Sequence, residues 1–290
     1  MDGFQLWHRG LGIVLLMGMG LPEVASFELA RFHPDTLGWS IYDLATLLNH
    51  HLGIPERDTL TVVTSLYVTL CVALIVGWQV RIAALGLLVL HYRIYVAVPL
   101  FSYGFDFIAL SALAYCAAFS RRWGPTVIRT MQVHLCIIYF FSGLDKIIGP
   151  TWRNGEAAWK AAQQSFDQPI IPVGTLEALP WLWVAAGWSV VLLELSYPVL
   201  IWWRPTRRWA LAGALMLHVA IVMVMGLYAF SALMILLNLV AFYFKFPTQP
   251  SHPSDQAIRK DGDVLLSQTE ICTTNKTSFQ NASVKPSKPP

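Results

Sequence analysis

Three polar residues stand in one otherwise apolar run, Gln132, Tyr139 and Lys146. They are seven apart, so in a helix each falls only ~20° around from the last and the three form one stripe. Ser142 lies four before Lys146 and shares its face. Gly143 in the same stretch would let another helix or a flat ligand approach closely. Such a stripe sets an amide, a hydroxyl and an ammonium on one face, groups that donate or accept hydrogen bonds inside an otherwise apolar bundle. Elsewhere the apolar runs hold Glu194, His218, Arg93, His91, Asp106 and His134. Each ionisable group inside hydrocarbon costs ~2.5–3.5 kcal/mol on the insertion scale, so their presence needs a reason. Arg93, Asp106, Lys146 and His218 project to the middle or outer half of the expected bundle, with Glu194 deeper. A cavity open to the outer face would gather them into one site.

Every one of these residues also has a structural reading. Lys146 lies ~30 Å along its helix, at the outer edge of the hydrocarbon, where a lysine can snorkel to water. His218 would then make a helix-to-helix hydrogen bond, and Glu194 would pair with a cation or a hydroxyl inside the bundle. Arg93 with Asp106 would form an ion pair near the outer surface, and His91 and His134 would pack or hydrogen-bond.

The elements that position these side chains follow from composition. Of 290 residues, 56% are hydrophobic and 13% charged, about half the charged share of a soluble domain. Mean hydropathy is +0.53. A net charge of +3, spread along the chain, excludes a nucleic-acid-binding module. The apolar runs approach 20 residues, the length that crosses ~30 Å of hydrocarbon. They do not alternate, so they read as helices. Eight are expected: Leu6–Val24, Leu60–Trp78, Arg81–Leu100, Phe105–Phe119, Val127–Ile148, Trp181–Trp203, Arg207–Met225 and Tyr228–Phe244. The fold class is an all-α integral membrane bundle. The first run lacks a basic flank and a small-residue cleavage site, so it reads as a helix of the mature protein. The four cysteines stand singly, predicting neither a disulfide framework nor a metal site.

Loop charges give the orientation. One side carries Arg9, Arg81, Arg121, Arg122, Arg129, Arg204, Arg207, Arg208 and Lys245, and the other only Arg31, Arg57, Arg153 and Lys160. The positive-inside rule then puts both termini in the cytoplasm. The long loops 26–59 and 149–180 face the periplasm, lumen or exterior. Residues 1–246 form the membrane domain. Residues 247–290, rich in Pro, Ser, Thr and Lys, cannot bury enough apolar surface to fold alone and read as a disordered cytoplasmic tail.

Three blocks resemble a known family. The first comprises Gln132, Ile138-Tyr139-Phe140, Ser142-Gly143, Lys146 and the stretch from Trp152 to Gly155. The second is Leu192-Leu193-Glu194-Leu195-Ser196. The third is His218 followed by Gly226 to Ser231, with Arg207-Arg208 in the loop before it. In this order they resemble the vitamin K-dependent gamma-carboxylase family and its bacterial branch, the HTTM (horizontally transferred transmembrane) group. The resemblance covers most of residues 1–246. For carboxylase members it implies a lysine, here at the position of Lys146, that deprotonates reduced vitamin K and so starts carboxylation of glutamate. Where carboxylases have two adjacent lysines, this chain has Asp145 before Lys146. The stretch Phe101 to Asp106 lacks their Asn-His pair. In place of a large lumenal domain stands the polar tail, and in size the HTTM group is the nearer likeness.

Two functions follow as expectations. In the first, the protein is a membrane enzyme. Lys146 acts as base with His218 as its hydrogen-bond or proton partner, and Glu194 orients the network. Gln132, Tyr139, Ser142, Gly143, Arg93 and Asp106 bind substrate or complete that network. The substrate is a quinone-like lipid, such as reduced vitamin K, or a secreted peptide. In the second, the same pocket binds a lipid or escorts a peptide without catalysis.

Overall fold

The structure is a computed structural model that describes residues 3–19, 41–97, 104–120, 122–163, 170–172 and 179–244. All regular elements among them are helices: α1 (Gly3–Met19), α2 (Ile41–Leu52), α3 (Glu56–Val76), α4 (Val80–Ala97), α5 (Gly104–Ala118), α6 (Gly124–Ile148), α7 (Pro150–Arg153), α8 (Glu156–Gln163), α9 (Pro180–Leu200), α10 (Arg207–Met225) and α11 (Tyr228–Phe242). Each of the eight expected runs overlaps one of them. The two long loops are not plain connections, since α2 lies in the first and α7 and α8 in the second. The expected ends at Val24 and Leu100, the basic residue Arg31 and the tail 247–290 lie outside the described residues.

Four helical stretches are long and apolar enough to cross a membrane: Arg57–Val76 within α3, and α6, α9 and α10. Helices α5 and α11 are apolar but have 15 residues each. At 1.5 Å per residue they reach ~22 Å, short of the hydrocarbon thickness. Length and composition therefore carry four spans among the described residues, not eight. The same helices turn large apolar side chains outward, among them Val72, Phe107, Phe141, Leu192, Val199 and Met216. Such a surface suits hydrocarbon and would be a liability in water. The apolar helices fit an integral membrane protein.

Local chemistry sets the breaks. Prolines open α7 and α9 and sit in the first turn of α6, where no N–H is missed. Gly77 and Gly226 end α3 and α10 in the left-handed conformation, with φ of +86° and +68°. The short link between α10 and α11 is thus a helix cap followed at once by a new helix.

Helix α6 packs along α9, α4 along α5, α1 against both α3 and α11, and α10 against α11. The core runs through Trp7, Leu11, Tyr67, Leu74, Leu113, Leu135, Val191 and Leu237. Helix association in lipid gains little from apolar burial, so close packing and polar ties matter more. Three of those ties are Tyr–His hydrogen bonds. Tyr67 joins His91 between α3 and α4 at 3.0 Å. Tyr115 joins His134 between α5 and α6 at 2.8 Å, and Tyr139 joins His218 between α6 and α10 at 2.9 Å. A fourth tie runs from His8 Nδ1 to the Leu74 carbonyl at 2.6 Å, linking α1 to α3.

Candidate functional site

Lys146 sits in the last turn of α6, where a cation suits the helix's negative end. Its side chain turns into the bundle rather than out to water, contrary to the snorkelling alternative. Nζ lies 2.8 Å from Oε2 and 3.2 Å from Oε1 of Glu194 on α9. It also donates to the Ser142 hydroxyl at 2.5 Å, lies 3.3 Å from the Ser142 carbonyl, and stands 5.2 Å from the Trp152 ring centre. The side chains of Lys146 and Glu194 are only 16% and 9% exposed. Isolated, either charge would be costly to bury, and the pairing and hydrogen bonds offset part of that cost. Glu194 therefore shares the level of Lys146, where the sequence placed it deeper.

Two glycines and a proline shape this corner. A Cβ on Gly143 would stand 2.9 Å from the Leu195 nitrogen and 3.0 Å from the Glu194 Cβ. Only a glycine lets α6 come this close to the backbone that carries Glu194. Gly155, with φ +83°, would place a Cβ 2.6 Å from the Val184 nitrogen, so the turn after Trp152 is seated directly on α9. Pro198 lies inside α9. It has no N–H to offer the carbonyl four residues back, which is that of Glu194.

A second polar group adjoins the first along the same helices. Tyr197 follows Glu194 by three residues on α9, and its ring centre lies 4.2 Å from that of Tyr139 on α6. The Tyr197 hydroxyl donates to Asn238 Oδ1 on α11 at 2.6 Å. Asn238 Nδ2 donates to the Tyr139 hydroxyl at 3.0 Å, and that hydroxyl meets His218 Nε2 on α10. All four residues are buried. His218 Nδ1 and the nearby helix's Ser231 Oγ are buried without a hydrogen-bond partner.

Residues 120–246 match the HTTM domain model. That segment belongs to the HTTM family. No curated protein and no solved structure matches the chain. The HTTM segment contains both polar groups whole, from Tyr139 and Lys146 to Glu194, His218 and Asn238.

The other expected site residues lie apart from this centre. Gln132 is in the HTTM segment but ~21 Å from Lys146 along α6. It donates to the Ala241 carbonyl at 2.5 Å and accepts from Arg129, tying α6 to α11. Asp106, at the start of α5 and outside the HTTM segment, lies 3.3 Å from His91 Nε2. His91 in turn meets Tyr67. Arg93 is half-buried on α4. Of the residues expected around one outward cavity, Lys146 pairs with Glu194, His218 meets Tyr139, and Asp106 lies beside His91. Asp145, the neighbour of Lys146, is exposed. Among the described residues no three His, Cys, Asp or Glu side chains gather as metal ligands would.

Tyr197 and Asn238 are central here and were not singled out by sequence. Both carried a signal. Tyr197 shares the helix face of Glu194, and Asn238 is an amide inside a 15-residue apolar helix.

Proposed function

We propose that the chain is a multi-pass membrane enzyme of the HTTM family in which Lys146 and Glu194 work as an acid–base couple. Both termini face the cytoplasm, and the couple lies toward the outer side. The observation that carries this reading is the 2.8 Å contact between Nζ and Oε2 inside an apolar bundle. In the charged form of the pair the ammonium holds the proton. Its transfer to the Glu194 carboxylate leaves a neutral amine beside a neutral acid, an arrangement that low dielectric tolerates better than two separated charges. The amine can then take a proton from an acidic O–H of the substrate, leaving an oxyanion next to Ser142. The substrate class is a quinone-like lipid in its reduced form, entering from the bilayer, or a peptide.

The test uses full-length protein in native-lipid nanodiscs, as wild type, Lys146→Ala and Lys146→Arg. Bound small molecules are extracted and identified by mass spectrometry. A quinone-type lipid held by wild type and lost from Lys146→Ala supports the substrate class. Oxidation of the reduced quinone by added molecular oxygen, faster with wild type but not with Lys146→Arg, supports the base, because arginine keeps the charge and does not give up its proton. Bulk phospholipid alone in all three samples ends the quinone reading.

A non-catalytic reading rests on a different aspect of the geometry. Ser142 and Glu194 together supply acceptors for all three ammonium protons of Lys146, which suits a permanent charge that binds or escorts a partner. On that reading Lys146→Arg retains function.

A further inference from the structure

Asn238 is fully buried in the second half of α11. Its Nδ2 lies 2.8 Å from the Met234 carbonyl, one turn back. A backbone carbonyl can only accept, so this contact fixes which end of the amide is nitrogen. The second Nδ2 proton points to the Tyr139 hydroxyl at 3.0 Å, and Oδ1 accepts from Tyr197 at 2.6 Å. Since Tyr139 already receives one proton, its own O–H is left to donate. His218 Nε2 stands 2.9 Å away.

We propose that Tyr197, Asn238, Tyr139 and His218 form a one-way hydrogen-bond chain that holds His218 as its Nδ1–H tautomer, so that His218 turns a donor toward an acceptor oxygen of water or of a lipid-soluble molecule. Counting unpaired groups decides the direction. With Nε2 as acceptor, only the Nδ1 proton lacks a partner within the protein. With the proton on Nε2, two donors point at the Tyr139 oxygen, and both the Tyr139 proton and the Nδ1 lone pair are stranded. With both nitrogens protonated, two protons are stranded and a charge is buried as well. Unpaired polar groups in a dry interior are costly, so the first arrangement wins. Asn238 and Tyr197 are then positioning residues that act on His218 through Tyr139. The inference rests on these contacts alone and holds whether or not Lys146 is a base.

The test is magic-angle-spinning NMR on the full chain in native-lipid nanodiscs, with histidine labelled with 13C and 15N. The His218 signal is identified by its loss in His218→Gln. The expected spectrum has Nδ1 protonated and Nε2 bare. In Asn238→Asp the carboxylate has no proton to give Tyr139 and accepts one instead, so the chain reverses and the His218 proton moves to Nε2. Tyr139→Phe removes a single hydroxyl and serves if the aspartate variant does not fold. In that variant Nε2 loses the hydrogen bond it accepts, so its 15N signal moves to that of a free, bare imidazole nitrogen. A wild-type His218 with Nε2–H, or with both nitrogens protonated, overturns the proposal, as does an Nε2 signal unchanged in Tyr139→Phe. The Nδ1 proton should also show a hydrogen-bonded shift. If exchange into synthetic phosphatidylcholine changes that shift, a lipid-soluble molecule carries the oxygen. If the shift persists, water carries it. A shift typical of a free N–H overturns the acceptor.

Discussion

Lys146 and Glu194 meet across the α6–α9 interface at 2.8 Å, three residues from the point where Gly143 brings the two backbones together. Charge pair and close approach are one construction. The glycine sets the distance between the helices, and the pair gives the polar atoms there their partners.

Removing one partner should therefore cost more than removing both. Lys146→Met leaves a buried carboxylate unpaired, and a loss of about 3–5 kcal/mol is expected for such a break. The double variant Lys146→Met with Glu194→Leu strands no charge and should recover a large part of that loss. Denaturant or thermal unfolding in one detergent gives all the values of the cycle. A double variant as unstable as the sum of the singles would show that the two side chains do not interact.

Gly143 is the next test. A Cβ there meets backbone and Cβ atoms of α9, which cannot swing aside. Gly143→Ala should lower stability by about 1–3 kcal/mol, the usual cost of overpacking. Gly213→Ala is the control, because its Cβ would meet only the flexible end of Leu193 at 2.9 Å. Its melting temperature in detergent should fall less than that of Gly143→Ala. Equal shifts would mean that the close approach at Gly143 is not special.

These contacts show how far the sequence could be read. Helix positions were legible because long apolar runs interrupted by glycine, proline and arginine have few other solutions. The stripe at Tyr139, Ser142 and Lys146 was legible for the same reason, since periodicity fixes which residues share a face. What periodicity does not give is the partner on another helix. Nothing local to Lys146 says that it turns toward Glu194 rather than to water, because both require only a long flexible stem. Asp106 likewise meets His91 on α4, a choice made by the packing of α4 on α5. Asn238 is not legible in this way, because one amide in an apolar helix has several structural explanations until Tyr139 and Tyr197 are seen beside it.

The Tyr–His ties should differ in strength with burial. Tyr139 is 2% exposed, and Tyr139→Phe leaves both Asn238 Nδ2 and His218 Nε2 short of a partner. A cost of about 1–3 kcal/mol is expected, as for buried groups left unsatisfied. Tyr115 is only partly buried, so His134 can recover a partner more easily and Tyr115→Phe should cost less. Parallel melting curves of the two variants decide the order. A larger loss in Tyr115→Phe would mean that the Tyr139 group is not sealed from other hydrogen-bonding partners.

A second lysine–glutamate contact, Lys160 to Glu156 on α8, is shorter at 2.6 Å yet should matter far less. Here both side chains are largely in the open, 58% and 42% exposed. The Lys160 hydrogen bond, with its charge, holds the Glu156 carboxyl below its ordinary range. A carboxyl lowered on folding favours the folded state at higher pH and loses that contribution as pH falls through the carboxylate range. Solvent and salt screen the effect at such a site. Lys160→Ala should let the Glu156 carboxyl return upward in an NMR titration while the melting temperature at neutral pH stays unchanged. The same substitution at Lys146 should lower it clearly. If Lys160→Ala destabilised the protein as much as Lys146→Ala, burial would not be what separates the two pairs, and the case for Lys146–Glu194 as the functional centre would lose its physical basis.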